Sequence, residues 1–385
     1  MYSGGHGLVR ETAHGVTVGF YSPLPPARTG VADYSAALLE GLRRCGGVRI
    51  APARRSRNCD VALYHLGNNN LHAAIYRQAL ERPGVAVLHD AVLHHFLLGL
   101  LEPDAYVEEF VYNYGAWNRA LAAELWQHRA GSASDSRYFQ FPMLKRIAER
   151  SRAIIVHNPA AARAVKAHAP KTPVIEIPHH FSPPEQPSEA AIARYRSSLG
   201  FRAGDFVFGV FGYLRESKRL ATILDVFATL RRERPESALL IAGAFVSPDL
   251  ERALGPLLAQ PGIVYRPRLS EREFWVAAGA VDACINLRYP SAGETSAIAI
   301  RLMGIGKPVL VTESEECARF PADACLRVAS GVEERDSLWS HLVLLTSLPG
   351  LGRSIGQRGA GYIRGHHHLE RVVRQYGDTL CAYCG

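Results

Sequence analysis

Short apolar runs rich in β-branched and aromatic residues alternate along the chain with amphipathic stretches of helical period. The first half predicts strands at 16–21, 61–64, 85–88 and 153–156, with helices around 31–44 and 71–81. Residues 104–150 interrupt this rhythm with aromatic- and Glu-rich helical sequence, which predicts an insertion over the sheet edge. Proline density rises sharply from Pro178 to Pro187 and reads as a linker. The rhythm then restarts with strands at 206–211, 239–242, 281–285 and 308–311 and a helix from about 219 to 233. Alternation of this kind implies α/β architecture, with parallel sheets covered by helices on both faces. The expected organisation is a flexible leader (1–15), one doubly wound domain (16–182), a second (183–365) and a final helical segment (366–385). In open α/β sheets ligands bind outside the carboxyl ends of the strands, so the cleft between the domains is the expected site.

The segment from Asn286 to Val311 says most about chemistry. A strand feeds a Gly- and Ser-containing loop, then a helix opening on Glu294-Thr295-Ser296, with a glycine stop at Gly306. A bare helix N-terminus offers unpaired N–H groups and a positive dipole end, a geometry that favours phosphate. An ordinary βαβ crossover is built the same way. After the first strand, Gly30 opens the next helix, where a side chain would block a ligand's approach to backbone N–H groups; a proline-stiffened turn is the plainer reading. Arg215 and Lys218 form a basic turn at a helix start, where cations are unfavourable unless an anion visits. His89 and Asp90 end a strand, with His94 and His95 close behind, and Asn68 lies in an Asn-rich loop after another. Any of these could meet a sugar hydroxyl or serve packing and capping.

No G-x-G-x-x-G follows either first strand, and neither a Walker loop nor an Asp-x-Asp occurs. A dinucleotide-dependent dehydrogenase and a phosphate-loop NTPase therefore lack their main support. The 385 residues are 48% hydrophobic and 21% charged, with a net charge of +8 that suits an anionic partner. The arginines that supply most of it are scattered, with no basic run among aromatics, so nucleic acid is not expected. Seven cysteines without disulfide-like spacing, and no signal peptide, point to a reducing cytoplasm. Cys381 and Cys384 read as incidental tail thiols, and His366-His367-His368 as a solvated helix start. No apolar stretch approaches the roughly 20 residues needed to span a bilayer. The longest, Phe96 to Leu101, packs in a core or touches a membrane surface at the inner face.

The loop Pro290-Ser291-Ala292-Gly293-Glu294, the helix ending in Gly306-Lys307-Pro308-Val309, and Lys218 together resemble the donor site of GT-B-fold glycosyltransferases of family 4 type (glycosyl transferases group 1). The resemblance runs from residue 16 onward. It implies two Rossmann-like domains facing a cleft, and a C-terminal helix crossing back to the first. It further implies metal-independent transfer of a hexose (of mannose, glucose or N-acetylglucosamine type) from a nucleotide diphosphate sugar, with retention. The acceptor would be a hydroxyl of a glycan, a lipid-linked or a small molecule, and no cofactor beyond the co-substrate is implied. By this likeness Lys218 and Arg215 grip the diphosphate, with Tyr213 standing at the usual arginine position. Gly30, Thr295 and Ser296 line the diphosphate, Glu294 binds donor-sugar hydroxyls, and His89 positions the reacting sugar. Arg268, Leu269 and Arg301 lie by the nucleotide, Arg301 where the family has a second glutamate. Asp90, His94 and Asn68 face the acceptor, for which the 104–150 insertion is a suitable place. A sugar-nucleotide epimerase or a non-catalytic sugar-nucleotide-binding relative are the alternatives.

Overall fold

The computed structural model describes residues 15–27, 29–52 and 58–384; of the expected leader, 1–14 lie outside the described residues. Among the described residues twelve strands form two six-stranded sheets, parallel throughout. The first contains β1 (Val16–Tyr21), β2 (Val48–Ile50), β3 (Val61–Leu66), β4 (Val85–Leu88), β5 (Ala153–Val156) and β6 (Val174–Glu176), in the order β2-β1-β3-β4-β5-β6. The second contains β7 (Phe206–Phe211), β8 (Ser237–Ala242), β9 (Ile263–Arg266), β10 (Ala283–Asn286), β11 (Val309–Thr312) and β12 (Leu326–Val328), in the order β12-β11-β10-β7-β8-β9. The chain builds outward from β7 to β9, then returns to lay β10 on the other side. A topological switch point therefore opens between β7 and β10, where connections diverge and leave a crevice.

The eight inner strands are those predicted from the hydrophobic pattern. The four unpredicted ones, β2, β6, β9 and β12, are the four sheet edges. Each is three or four residues long and carries a charge (Arg49, Glu176, Arg266, Arg327), which suits an edge and hides it from a pattern search. The 104–150 insertion folds as helices Pro103–Tyr114, Arg119–Gln127 and Lys145–Arg150. It buries Tyr106, Phe110, Tyr138 and Met143 against the core of the first domain. The Phe96–Leu98 part of the longest apolar run packs in the same core. No helix among the described residues is long and apolar enough to cross a membrane.

The final helix, Leu369–Ala382, lies on helix Gly30–Arg44 of the first domain. Gly41 permits the contact, because a Cβ there would come 2.4 Å from Val373 Cγ2. The Tyr34 and Tyr376 hydroxyls meet at 3.0 Å. The chain thus crosses between domains twice, and the crossings are bonded to each other. Phe181 N–H donates to His367 O at 2.6 Å, and Leu369 N–H donates to Phe181 O at 3.1 Å. The His366–His368 run does lead into a helix, with His368 as the N-cap of Leu369–Ala382 and His366 exposed, but it is not solvated throughout. Helix Pro349–His366 ends there, and His367 is only 4% exposed in the junction.

Around this junction Tyr34 touches the rings of His65, His89, His157, His179 and His180. Backbone carbonyls fix several tautomers, since a carbonyl can only accept. The proton sits on Nδ1 of His157 (to Ile177 O, 2.8 Å), Nε2 of His180 (to Tyr34 O, 3.0 Å) and Nδ1 of His367 (to His179 O, 2.6 Å). Burial lowers His157, His180, His367 and the separately buried His94 from the ordinary 6.5 to about 4. The unfolded chain therefore takes up protons at these rings below pH 6.5, whereas the folded chain does so only near 4. Their contribution is fully present above pH 6.5 and is lost as pH falls through that window. Each ring contributes a slope of up to about 1.4 kcal/mol per pH unit. Circular dichroism melts are expected to show a steep decline in Tm from pH 6.5 towards 4; a flat profile over that range would mean that the rings are accommodated as cations.

Candidate active site

The carboxyl ends of β7 and β10 converge on Lys218, in the 3₁₀ turn Glu216–Lys218. Far from being solvated, it is 4% exposed, and its Nζ donates to Phe211 O (3.0 Å) and Asn286 Oδ1 (3.2 Å). Both partners are neutral. Burial holds the ammonium pKa well below its usual value, the charges of Arg288 and Arg215 add to this, and Glu294 opposes it. Asn286 Nδ2 in turn donates to Ser296 Oγ at 3.0 Å. Ser296 caps helix Ala297–Gly304 by accepting the Ala299 N–H at 3.3 Å. The helix thus begins at Ala297, so Glu294 and Thr295 belong to the loop ahead of it and not to its first turn. With the Ala299 N–H taken by the cap, the first-turn amides left for an anion are those of Ala297 and Ile298.

The loop from Leu287 to Thr295 is tied down along its length. Arg288 N–H donates to Thr312 Oγ1 (2.9 Å) and Tyr289 N–H to Ser217 O (2.8 Å); the Tyr289–Pro290 peptide is cis. Glu294 folds back into this loop. It pairs with the Arg288 guanidinium and accepts the Ala292 N–H (2.8 Å) and the Ser291 hydroxyl (3.3 Å). Burial pushes its carboxyl up, but the Arg288 charge and the loop N–H groups outweigh this and leave it below the usual range. Arg288 Nε is buried with no partner and borders a cavity of about 30 Å³ behind the loop. Arg288 went unselected in the sequence reading, although an Arg two residues past an apolar strand was the available signal. Asn286, a polar residue closing that same strand, was a second.

Across the cleft, Asp90 follows β4, with its Oδ2 accepting Asn68 N–H at 2.7 Å. Burial, then the Glu294 charge, raises its pKa to about 6, while the Asn68 N–H, Arg215 and Arg288 pull the other way. The structure therefore brings Asp90 from one domain together with Glu294, Arg288, Arg215 and Lys218 from the other. His89 stands beside them, partly accessible, its Nε2 bonded to His65 Nδ1 at 3.0 Å. Gly30 begins helix Gly30–Arg44, and a Cβ there would meet nothing within 4 Å. Thr295 faces the first domain, where its hydroxyl accepts from Asn158 at 3.0 Å.

Other predicted residues lie elsewhere. His94 is fully buried, with ring nitrogens bonded to Tyr138 O (3.0 Å) and Tyr106 Oη (2.6 Å). The expectation that it meets an acceptor is corrected: it is a core histidine. The Asn68 side chain is likewise engaged internally, accepting Phe96 N–H (2.7 Å) and contacting His95 (3.3 Å). Its acceptor role is replaced by a structural one, support of Asp90 and of the helix after it. Arg268 is exposed on the loop after β9, and Leu269 packs on the second domain's core. Arg301 stacks over Phe274 (4.0 Å) and Trp275 (4.3 Å) and pairs with Glu271 at 2.5 Å. Glu271 and Arg301 also face Asp33 of the first domain. Burial raises the pKa of Asp33, Glu271 adds to the rise, and Arg301 opposes it.

No protein-family model matches the chain, and no curated protein does. Solved structures do. HepE of Anabaena, in complex with UDP and glucose, superposes with TM-score 0.67 at 14% identity, over 95% of this chain and 100% of its own. The sucrose-phosphate synthase of Thermosynechococcus elongatus gives 0.65 at 13% identity, over 96% and 98%. WaaG, a glycosyltransferase involved in lipopolysaccharide biosynthesis, gives 0.62 at 13%, over 95% and 99%. Likeness over nearly the whole of each chain at such low identity is likeness of architecture: two facing doubly wound domains, the GT-B fold.

Proposed function

We propose that the chain transfers a glycosyl group, a hexose, from a nucleoside diphosphate sugar to a hydroxyl acceptor. One observation carries the reading: at the switch point of the second sheet, a buried ammonium bonded only to neutral oxygens is flanked by two guanidinium groups, Arg288 and Arg215. Such a group is costly out of water unless an anion joins it. HepE, of the same architecture, is seen with UDP and with UDP-glucose. A diphosphate drawn to Lys218, Arg215 and the amides of Ala297 and Ile298 would have its developing charge offset as the bond from the sugar C1 to the phosphate oxygen breaks. The acceptor oxygen then bonds to C1 on the same face, its proton passing to the departing phosphate, and configuration is retained. The three side-chain cations supply the positive charge without calling on a metal. Asp90 and His89 line the opposite wall, where sugar hydroxyls would sit.

A second reading rests on Asp90 and Glu294, two carboxyl groups that influence each other across the cleft. Such a pair suits the acid and base of a sugar-nucleotide epimerase. Products formed without acceptor separate the two: epimerised nucleotide sugar for one, free sugar and nucleotide for the other. UDP binding with no turnover of any donor would instead indicate a non-catalytic relative.

UDP is expected to raise the Tm, and Lys218→Ala to weaken its binding at least tenfold, given about 1.5–3 kcal/mol for a hydrogen bond to a charged group. Unchanged donor hydrolysis and transfer in both Lys218→Ala and Glu294→Ala would place the site elsewhere. Because burial depresses the Lys218 pKa and a bound anion would raise it, binding should take up protons between those two values. Calorimetry in buffers of different ionisation enthalpy reads this directly; zero uptake in wild type would contradict it. The ionised form of Asp90 prevails above about pH 6, so activity should fall below that pH in wild type and lose this limb in Asp90→Asn.

A further inference from the structure

Asn158 lies outside the donor-binding wall, at the start of helix Pro159–His168 in the first domain. Its Oδ1 accepts the Ala161 N–H at 2.8 Å, an N-cap that fixes which way the amide faces. The Nδ2 is thereby aimed out of the first domain, and it donates to two acceptors of the second: Gly293 O at 2.9 Å and Thr295 Oγ1 at 3.0 Å. At 2% exposure the side chain is sealed between the domains. One residue earlier in the loop, Ala292 O accepts the Ala91 N–H of the first domain at 2.8 Å. Gly293 has φ +72, and a Cβ on it would stand 2.7 Å from Ala91 Cβ, so glycine is what lets the two backbones meet.

Three of the four residues from Ala292 to Thr295 are therefore held by the first domain. The fourth, Glu294, is the one whose carboxylate Arg288 and Ala292 N–H hold in place. We propose that Asn158 is a positioning residue, a latch that ties closure of the two domains to the shape of the Ala292–Thr295 loop and so to the placement of Glu294 in the donor site. The closing ion pairs nearby, Arg163 with Glu315 and Arg319 with Glu176, each have an arginine more than half exposed, where such pairs contribute little. The buried amide and the Ala91–Ala292 bond carry the closure. In its bearing on the donor the inference rests on the proposed glycosyl transfer; in its bearing on domain closure it stands without it.

Asn158→Asp separates the two jobs of this side chain. A carboxylate caps a helix N-terminus as well as an amide does, but it cannot donate: it would face the Gly293 carbonyl with no proton to offer, leaving only the Thr295 hydroxyl able to turn towards it. The variant is expected to melt close to wild type and yet to show a larger radius of gyration by small-angle X-ray scattering with no ligand present. Gly293→Ala should expand the particle in the same way through an independent contact. UDP affinity should fall about tenfold in Asn158→Asp, and any turnover should lose more in KM for the donor than in kcat. Wild-type scattering from Asn158→Asp, or a wild-type protein already scattering as an open particle, would overturn the latch. Absence of binding by wild type across UDP, GDP, ADP and dTDP would overturn the glycosyl-transfer reading alone, because the scattering comparison decides the latch by itself.

Discussion

A primary ammonium held out of water where β7 and β10 diverge sets the terms for the second domain's wall of the cleft. Desolvation makes an unaccompanied buried charge costly, so the surroundings must either supply acceptors or neutralise it. Here they supply two oxygens, Phe211 O and Asn286 Oδ1, and the Asn286 amide must then turn its Nδ2 towards Ser296. The hydroxyl so engaged caps the following helix. A single run of hydrogen bonds thus links the lysine, a strand end and a helix start. Arg288 and Glu294, paired in front of it, keep the local charge from becoming one-sided. The GT-B fold supplies the crevice, and this run of bonds braces its wall.

Inner strands announce themselves because burial on both faces demands apolar residues at nearly every position, as the fully buried β3, β4, β5 and β8 illustrate. Edge strands answer a different demand, and Arg49 or Glu176 at their centre or end conceals them. Lys218 could be named from its neighbours in sequence, but its burial could not, since the residues that cover it, Phe211 and Asn286, come from strand ends 75 positions apart. Glu294 was legible as a loop carboxylate, whereas its engagement by Arg288 and Ala292 N–H depends on a turn that composition does not specify. His94 shows the reverse error. Proximity to His89 in sequence suggested a shared site, yet at the first position of a new helix the side chain points into the core, where Tyr106 and Tyr138 O satisfy it. The three-residue difference in where helix Ala297–Gly304 begins has a local cause. Glu294 and Thr295 are good first-turn residues, but both are drawn away by partners outside the helix.

The histidines around Tyr34 serve a different economy. Neutral imidazole offers one donor and one acceptor on a flat ring, which suits a crowded junction where carbonyls of Tyr34, Ile177 and His179 need donors. A lysine or arginine could donate as well, but it would bring a charge that the closed junction has no counter-ion to meet. Apolar rings would leave those carbonyls bare.

The paired crossings at Phe181 and His367–Leu369 also limit how the molecule can move. Two separate connections would let one lobe slide or twist over the other. Two strands of chain hydrogen-bonded side by side behave as one spine, with the Leu369–Ala382 helix fastened beyond it to the first lobe. Such a spine resists sliding and twisting more than it resists rotation about its own line. The Ala292–Thr295 loop meets the first lobe at Asn158, next to His157 of that same junction, so the loop contact and the spine belong to one continuous seam.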